Sequence, residues 1–373
     1  MQVCSIAMEQ TIRFVTTTDD VKLAFATSGA GPPLLKTANW LNHLEYDWES
    51  PVWRHWFEFL SRGHRLVRYD ARGCGLSDWT DDKLAFEWQV QDLERVVEAA
   101  GLDRFAMLCL SQGAAAGIEY AVRYPERVSH LVILGGYALG WARRGEESLR
   151  AGRAMVELIR FGWGQDTASF RKLFAELFIP DASAEQIEWY GELMRRTTRP
   201  EVAARILEAF GEIDVRHRLR DVRAPTLILH ARGDRRVPFD EGRALAAGIP
   251  NARFLALDTN NHVLTEAEPA WQRFQAALSD FTGTGTAPIA AAATPAPAAA
   301  PQDGLLESLT ARERAILARV AAGESNALIA TRLSISEKTV RNHLTTIFDK
   351  LNVTSRAQAI VFARDRGLHG PGA

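Results

Sequence analysis

Apolar and polar positions alternate over Thr11–Thr17 and again over Val21–Thr27, either side of Asp19-Asp20, and this period of two predicts a pair of antiparallel strands. Continuous apolar runs follow. Leu34–Ala38, His64–Asp70, Phe105–Leu110, Leu131–Gly135, Pro225–Ala231 and Ala252–Asp258 each read as a buried strand. Helical stretches are interleaved: Asp82–Ala100 stops at Gly101, and Ala114–Tyr120 follows the Phe105–Leu110 strand after a short turn. Strands alternating with helices predict an α/β fold with a mostly parallel, doubly wound sheet, whose site lies at the C-terminal ends of the strands. Residues 137–215 break the rhythm. Four helical stretches, near Trp141–Phe161, Asp166–Phe178, Ser183–Arg196 and Pro200–Glu212, come without a convincing strand. They carry Trp141, Phe161, Trp163, Phe178, Trp189 and Tyr190 and predict a helical lid; the aromatics either wall a pocket or bury the insertion on the sheet.

The pattern then stops altogether. Residues 284–303 are almost wholly Ala, Pro, Thr and Gly, and Pro288, Pro295, Pro297 and Pro301 prevent a continuous helix. Such a linker spans roughly 60–70 Å when extended and tethers two domains without fixing their geometry. Beyond it, helical periodicity returns in short pieces. Thr310 and Glu313 form a capping box that opens one helix, ended by Gly323. Asn326–Leu333 is a second helix, Ser334-Ile335-Ser336 a tight turn, Glu337–Leu351 a third helix and Arg356–Arg366 a fourth. The expected division is 1–283 for the α/β domain, 284–303 for the linker and 304–370 for a small all-α domain.

Charge sharpens this division. The whole chain carries only −2, but residues 304–373 hold ten Arg and Lys against six acids, a net of +4, which leaves −6 for the rest. A basic tail on an acidic body suggests a polyanionic partner for the tail. All ten Trp lie between Trp40 and Trp271, so the aromatic chemistry belongs to the body. Cys4, Cys74 and Cys109 are too few for a disulfide framework or a zinc site. No metal or cofactor is implied. No signal-peptide pattern is visible and no run of about 18 apolar residues exists, so the expectation is a cytoplasmic protein without a membrane partner.

Candidate chemistry gathers at the strand ends. Ser111, in Leu108-Cys109-Leu110-Ser111-Gln112-Gly113, lies at a strand–turn–helix junction of the nucleophile-elbow type. The strained turn demands small residues two positions away. Gly113 meets this demand, and Cys109 stands where glycine is usual. Asp234 and His262 each follow a later strand, and the order Ser, Asp, His supplies what a serine nucleophile needs: an imidazole to take its proton and a carboxylate to hold the imidazole. On these positions residues 11–283 resemble the α/β-hydrolase superfamily. The stretch Asp70-Ala71-Arg72-Gly73-Cys74-Gly75-Leu76-Ser77-Asp78 is similar to the D-x-R-G-x-G-x-S loop of its esterase-like and epoxide-hydrolase-like branches. The resemblance implies an oxyanion hole made by backbone N–H groups of Trp40 and Gln112. Members usually carry His-Gly where this chain has Asn39-Trp40. Trp40–Trp48 is rich in polar and aromatic groups and either lines a ligand site or packs as a surface loop. A mostly apolar ligand pocket is expected under the lid, with Asn39, Trp40, Trp141, Trp163 and Trp189 in its walls.

Residues 306–368 resemble the LuxR/GerE-type output domain, through Leu309-Thr310, Arg312-Glu313, Gly323, Ser325-Asn326, Ile329-Ala330, Leu333, Ile335-Ser336, Thr339-Val340, His343, Lys350-Leu351 and Arg356. By that resemblance the third helix enters the DNA major groove. Arg341, Asn342 and Thr345 read bases, Lys338 and Thr339 lie near phosphates, and the fourth helix makes a homodimer. Together the two resemblances imply a one-component transcriptional regulator: an α/β-hydrolase-like body senses a small molecule, and a four-helix LuxR-type helix-turn-helix domain binds operator DNA. The alternative is a functional, esterase-like serine hydrolase with an accessory DNA-binding tail.

Overall fold

A computed structural model of the chain describes residues 9–40, 42–163, 165, 168–284, 309–321, 324, 326–351, 359 and 363; at 168, 171, 327, 341, 342, 345, 348 and 349 this covers the backbone alone. Two compact units divide the chain between Ala287 and Pro288.

The first unit is built on eight strands: β1 (Gln10–Thr16), β2 (Lys22–Ser28), β3 (Pro33–Lys36), β4 (Arg65–Tyr69), β5 (Phe105–Leu110), β6 (Val128–Leu134), β7 (Thr226–Ala231) and β8 (Arg253–Leu257). They pair in the order β1-β2-β4-β3-β5-β6-β7-β8. The β1–β2 and β2–β4 pairings are antiparallel, and every other pairing is parallel. The continuous apolar runs become the central strands: every residue of β5 and β7 is buried, as expected of parallel strands covered on both faces. β1 alternates and β8 is half exposed, consistent with their places at the edges.

Ten α-helices surround this sheet among the described residues: α1 (Leu44–Trp48), α2 (Arg54–Gly63), α3 (Phe86–Ala99), α4 (Gly113–Arg123), α5 (Glu146–Gly162), α6 (Ala168–Ala175), α7 (Ala184–Thr197), α8 (Pro200–Gly211), α9 (Phe239–Gly248) and α10 (Pro269–Thr282). The helix expected over Asp82–Ala100 begins only at Phe86, because Asp82–Leu84 form an irregular turn with Lys83 at φ +55°. α1 and α2 escape a periodicity reading, since aromatics occupy nearly every turn of that stretch. Trp48, Val52, Trp53, Trp56 and Phe57 are all buried, so residues 44–57 form an inner layer rather than a surface loop. Trp56 meets Trp271 and Phe274 of α10 with ring centroids 4.7 Å apart in each case, and its Nε1–H donates to the Leu264 carbonyl at 2.9 Å.

Four helices, α5 to α8, occupy the stretch between β6 and β7, where the periodicity predicts helices and no strand. A short 3₁₀ turn at Trp141–Arg143 precedes α5. Ser183 and Gln186 close a capping box at the start of α7, and Pro200 opens α8 at the position where its missing N–H costs nothing.

The second unit contains α11 (Ala311–Ala321), α12 (Asn326–Leu333) and α13 (Glu337–Leu351). Ile316, Leu317, Val320, Ile329, Val340, Leu344 and Ile347 form its core. The Thr310–Glu313 capping box is present, with N–H···O distances of 3.2 and 2.8 Å. Glu313 also pairs with Lys350 at 2.8 Å, which ties the start of α11 to the end of α13. Lys350 and the Thr310 N–H hold the Glu313 carboxyl far below its ordinary range, at about 2. Ser334 takes φ +50° in the turn between α12 and α13. The linker beyond Thr284 and the expected fourth helix, Arg356–Arg366, lie outside the described residues, save for Ala359 and Ala363, which are buried in this core.

Candidate active site

β5 delivers Ser111 into a turn at φ +52°, in the left-handed region that non-glycine residues rarely occupy. The Ser111 N–H donates to Leu134 O at 3.0 Å and its carbonyl accepts from Ala114 N–H at 3.1 Å, so the strained residue is clamped on both sides. α4 starts two residues later. A Cβ at Gly113 would collide with the Thr37 hydroxyl and stand 2.8 Å from the Ala38 carbonyl oxygen, so glycine is required there by close approach. At the other flank the Cys109 side chain points to the space left by Gly117 on α4. Cysteine is therefore accommodated where glycine is usual. Burial pushes its thiol up to about 12, which keeps the sulfur protonated.

β7 and β8 bring the other two residues to the same end. Asp234 Oδ1 accepts from the N–H groups of Arg236 (2.8 Å) and Val237 (2.9 Å), and Oδ2 meets His262 Nδ1 at 2.6 Å. Burial alone would raise the Asp234 carboxyl, but His262, the Val237 N–H and His230 outweigh it, and its pKa lies below the ordinary value. His262 is held from its backbone as well: its N–H donates to Phe178 O at 2.8 Å, and Phe178 packs edge-on to the ring at 5.8 Å. Gly135, at φ +59°, ends β6 beneath the imidazole, where a Cβ would stand 2.8 Å from His262 Cε1. Ser111 and His262 line one cavity of about 360 Å³. Among the described residues no hydrogen bond joins the Ser111 hydroxyl to His262, although a serine nucleophile needs an imidazole to take its proton. Ser111 lines the cavity itself, and such contacts tighten when a reacting group fills the site.

Asn39, Trp40, Trp141 and Gln112 line the same cavity. Trp163 and Trp189 do not. Trp163 is buried behind Trp40, stacked on it at 5.7 Å, with its Nε1–H spent on the Thr198 carbonyl at 3.1 Å. Trp189 stacks on Tyr46 at 4.7 Å, away from the cavity. Phe178, one of the lid aromatics, does wall the cavity, and Tyr137, Arg144, Phe210 and Arg236 are wall residues that sequence reasoning missed. The run Gly233-Asp234-Arg235-Arg236 was the available signal, for it places two cations beside the acid.

Next to Ser111, the end of β3 is tied to the sheet by Thr37 N–H donating to Leu108 O at 2.9 Å. Lys36 Nζ donates to Asn39 Oδ1, and Asn39 Nδ2 donates to the Trp40 carbonyl at 3.1 Å. The Asp70–Asp78 loop braces this wall from below. Asp70 accepts the N–H groups of Leu44 (3.1 Å) and Leu76 (2.8 Å), and Arg72 pairs with Asp92 (2.6 Å) and Asp19 (3.1 Å).

In the second unit, Ser336 caps α13 by accepting from Thr339 N–H at 3.0 Å, and Lys338 is exposed in the first turn. The side chains of Arg341, Asn342 and Thr345 lie outside the described residues.

Comparison with known families covers both units. Residues 44–269 match the family model for the alpha/beta hydrolase fold. The chain belongs to the α/β-hydrolase fold family. Residues 307–363 match the bacterial regulatory proteins of the luxR family, so this α/β-hydrolase chain ends in a LuxR-type DNA-binding domain of transcription regulation. A 2-hydroxy-6-oxononadienedioate/2-hydroxy-6-oxononatrienedioate hydrolase of Paraburkholderia phymatum is 27% identical over 71% of this chain and 92% of its own length. The AB hydrolase superfamily protein YisY of Bacillus subtilis is 26% identical over 67% of this chain and 91% of its own. An esterase of Exiguobacterium antarcticum has a similar fold, with a TM-score of 0.62 at 21% identity over 73% of this chain and all of that one. Among the described residues no helix is long and apolar enough to cross a membrane.

Proposed function

We propose that the chain is a one-component transcriptional regulator whose α/β-hydrolase domain, residues 1–283 with its lid at 137–215, binds a small molecule in the Ser111 cavity. Occupancy of that cavity alters operator binding by the 304–370 domain, which works as a homodimer in the cytoplasm. The observation that carries this reading is the cavity of about 360 Å³ that Ser111 and His262 share, in a chain whose other domain is a DNA-binding output. On the DNA side, Lys338 and Thr339 meet phosphates while Arg341, Asn342 and Thr345 face base edges. The test is operator affinity of full-length protein with and without ligand. An affinity that never responds to any cavity ligand overturns the sensor. Arg341→Ala should cost about 1–3 kcal/mol of specific binding and relax sequence preference, while Lys338→Ala should lower the salt dependence on all sequences alike.

A second reading is favoured by Ser111 at φ +52° and the 2.6 Å His262–Asp234 contact, both of which belong to a working serine hydrolase. In that reading Ser111 attacks an ester carbonyl, His262 takes the hydroxyl proton, Asp234 holds the imidazole, and the Trp40 and Gln112 N–H groups bind the oxyanion. A fluorophosphonate should then label Ser111. Folded protein that stays unlabelled while binding its ligand leaves the receptor alone standing.

A further inference from the structure

Three arginines, Arg144, Arg235 and Arg236, line the cavity, and no aspartate or glutamate does. Of the three, one has a direct ion-pair partner among the described residues. Arg144 pairs with Glu241 at 3.2 Å and donates to the Leu139 carbonyl at 2.7 Å. Among the described residues the guanidinium groups of Arg235 and Arg236 make no hydrogen bond or ion pair. Arg235 is exposed and hydration suffices for it. Arg236 is different. Its guanidinium sits over the rings of Trp40 (5.8 Å) and Phe178 (5.6 Å), in the aromatic part of the wall. The acid nearest in sequence acts on it without a direct ion pair. Asp234 has already committed Oδ1 to two backbone N–H groups and Oδ2 to His262. Burial lowers the Arg236 pKa from its ordinary value, yet a guanidinium stays protonated, so the fold keeps a cation in an apolar wall with its N–H donors unspent.

Half-buried at the cavity wall, such a guanidinium is answered there by water or by the anion of a ligand. Ring faces contribute through cation–π attraction but accept no in-plane N–H. The edge of the guanidinium is a planar fork matched to two oxygens of one group, and flat ring surfaces leave that edge free. We propose that Arg236 is the anion-recognition residue of this cavity, and that the ligand is an organic carboxylate with an apolar, ring-sized body. The carboxylate meets Arg236, and the body lies against Phe178, Phe210, Met155 and Trp40. A volume of about 360 Å³ suits a small acid of this kind. A phosphate ester fits less well, because a group carrying nearly two negative charges would be met in the aromatic part of the wall by a single half-buried guanidinium.

This inference deepens the ligand-binding reading above and rests on it. The test uses full-length protein, with phenylacetate, 4-phenylbutyrate and octanoate each set against its own primary amide, and binding followed by tryptophan fluorescence and calorimetry. At least one acid should bind ten-fold or more tightly than its amide, the margin of a charge-assisted bidentate pair. Equal binding of acids and amides, or binding of neither at millimolar concentration, overturns the proposal. Arg236→Met should abolish the preference by weakening the acid and sparing the amide; a folded variant that keeps it places the anion elsewhere and overturns the assignment. Should Arg236→Met fail to fold, Arg236→Lys decides: it should lose several-fold in acid affinity with the amide unchanged, and an unchanged ratio counts against the proposal. Operator binding is read in parallel. Acid-selective binding that leaves DNA affinity untouched keeps the anion site and removes the sensor. A DNA response to amides and acids alike keeps the sensor and removes the anion site.

Discussion

On one side of Ser111 stands the wall made by the ends of β7 and β8; on the other stands the wall made by the end of β3 with α1 behind it. In the first, both oxygens of Asp234 are spent, His262 is fixed through ring and backbone, and Gly135 leaves the space the imidazole needs; His230 Nδ1 is its one buried nitrogen without a partner among the described residues. In the second, Thr37 Oγ1, Trp40 Nε1, Asp47 Oδ1 and Arg68 Nε are buried without a partner in the protein. Four ionisable groups, Lys36, Asp47, Arg68 and Asp70, are buried together there. Burial lowers the Lys36 amine and raises the Asp47 carboxyl, and it pushes Asp70 up to about 6. The β7–β8 side, the wall of the proposed triad, holds Asp234 and His262 in a fixed arrangement. The β3 wall buries polar atoms that no protein group answers, and of the four residues that carry them Trp40 lines the cavity. The difference is one of polar satisfaction: the β7–β8 side pairs most of its polar groups within the protein, and the β3 side leaves several unpaired.

The contrast breaks most decisively at Asp234. Asp234→Asn retains the shape but cannot hold Nδ1–H in the required tautomer, so fluorophosphonate labelling of Ser111 should slow by about 10⁴-fold. Ligand affinity should hardly change, because the carboxylate is hidden behind His262. Labelling and ligand titration on one preparation read both. Equal losses in the two would mean that the walls do not act separately.

Much of the triad wall was legible beforehand because it obeys local rules. A strand followed by a strained turn needs small neighbours, so Gly113 betrayed Ser111, and the acid and the imidazole each follow an apolar run. The parallel sheet was readable for the same reason: fully buried strands such as β5 and β7 are unbroken apolar runs. The β3 wall was not legible. Residues 44–57 fold inward as α1 and α2 around buried charge, and nothing in a run such as Glu45-Tyr46-Asp47-Trp48 shows that Asp47 will be enclosed. Arg236 escaped because charged residues in a turn ordinarily face water. Trp163 and Trp189 were placed in the pocket on aromatic character alone, but a large ring is as useful behind a wall as on it.

Gly113 joins the two walls, and Gly113→Ala tests whether they share a foundation. The new methyl group would strike the Thr37 hydroxyl and crowd the Ala38 carbonyl, at 2.8 Å, so the end of β3 must retreat from the elbow. Overpacking of this kind should cost about 1–3 kcal/mol, measured by urea unfolding of the first domain. Ligand affinity and labelling should fall together, in contrast to Asp234→Asn. A stable variant with both properties intact would show that β3 gives way without disturbing either wall.

The smallest effect is the one that distinguishes the walls by sign. Asp234 has a folded-state pKa below its ordinary value, so it contributes stability above that value, and this is lost as pH falls through the depressed pKa. Asp47 behaves in the opposite way. Its folded-state pKa is raised above the ordinary 3.8, chiefly by burial, with Asp70 adding to the rise and the His43 N–H, Arg68 and Lys36 opposing it. Between those two values the folded chain holds a proton that the unfolded chain has released, so stability declines as pH rises from about 4 toward neutrality. Asp47→Asn removes this titration. The amide oxygen can keep the 3.0 Å bond from His43 N–H, and an uncharged NH₂ takes the place of the orphaned oxygen. The variant should match wild type near pH 4 and exceed it by about 1 kcal/mol at pH 8, where an ionised, half-satisfied carboxylate no longer has to be buried. Urea midpoints measured from pH 4 to pH 8 decide it. Two parallel curves would mean that Asp47 is already answered by Arg68 and Lys36, and that the β3 wall is as fully paired as the triad wall opposite.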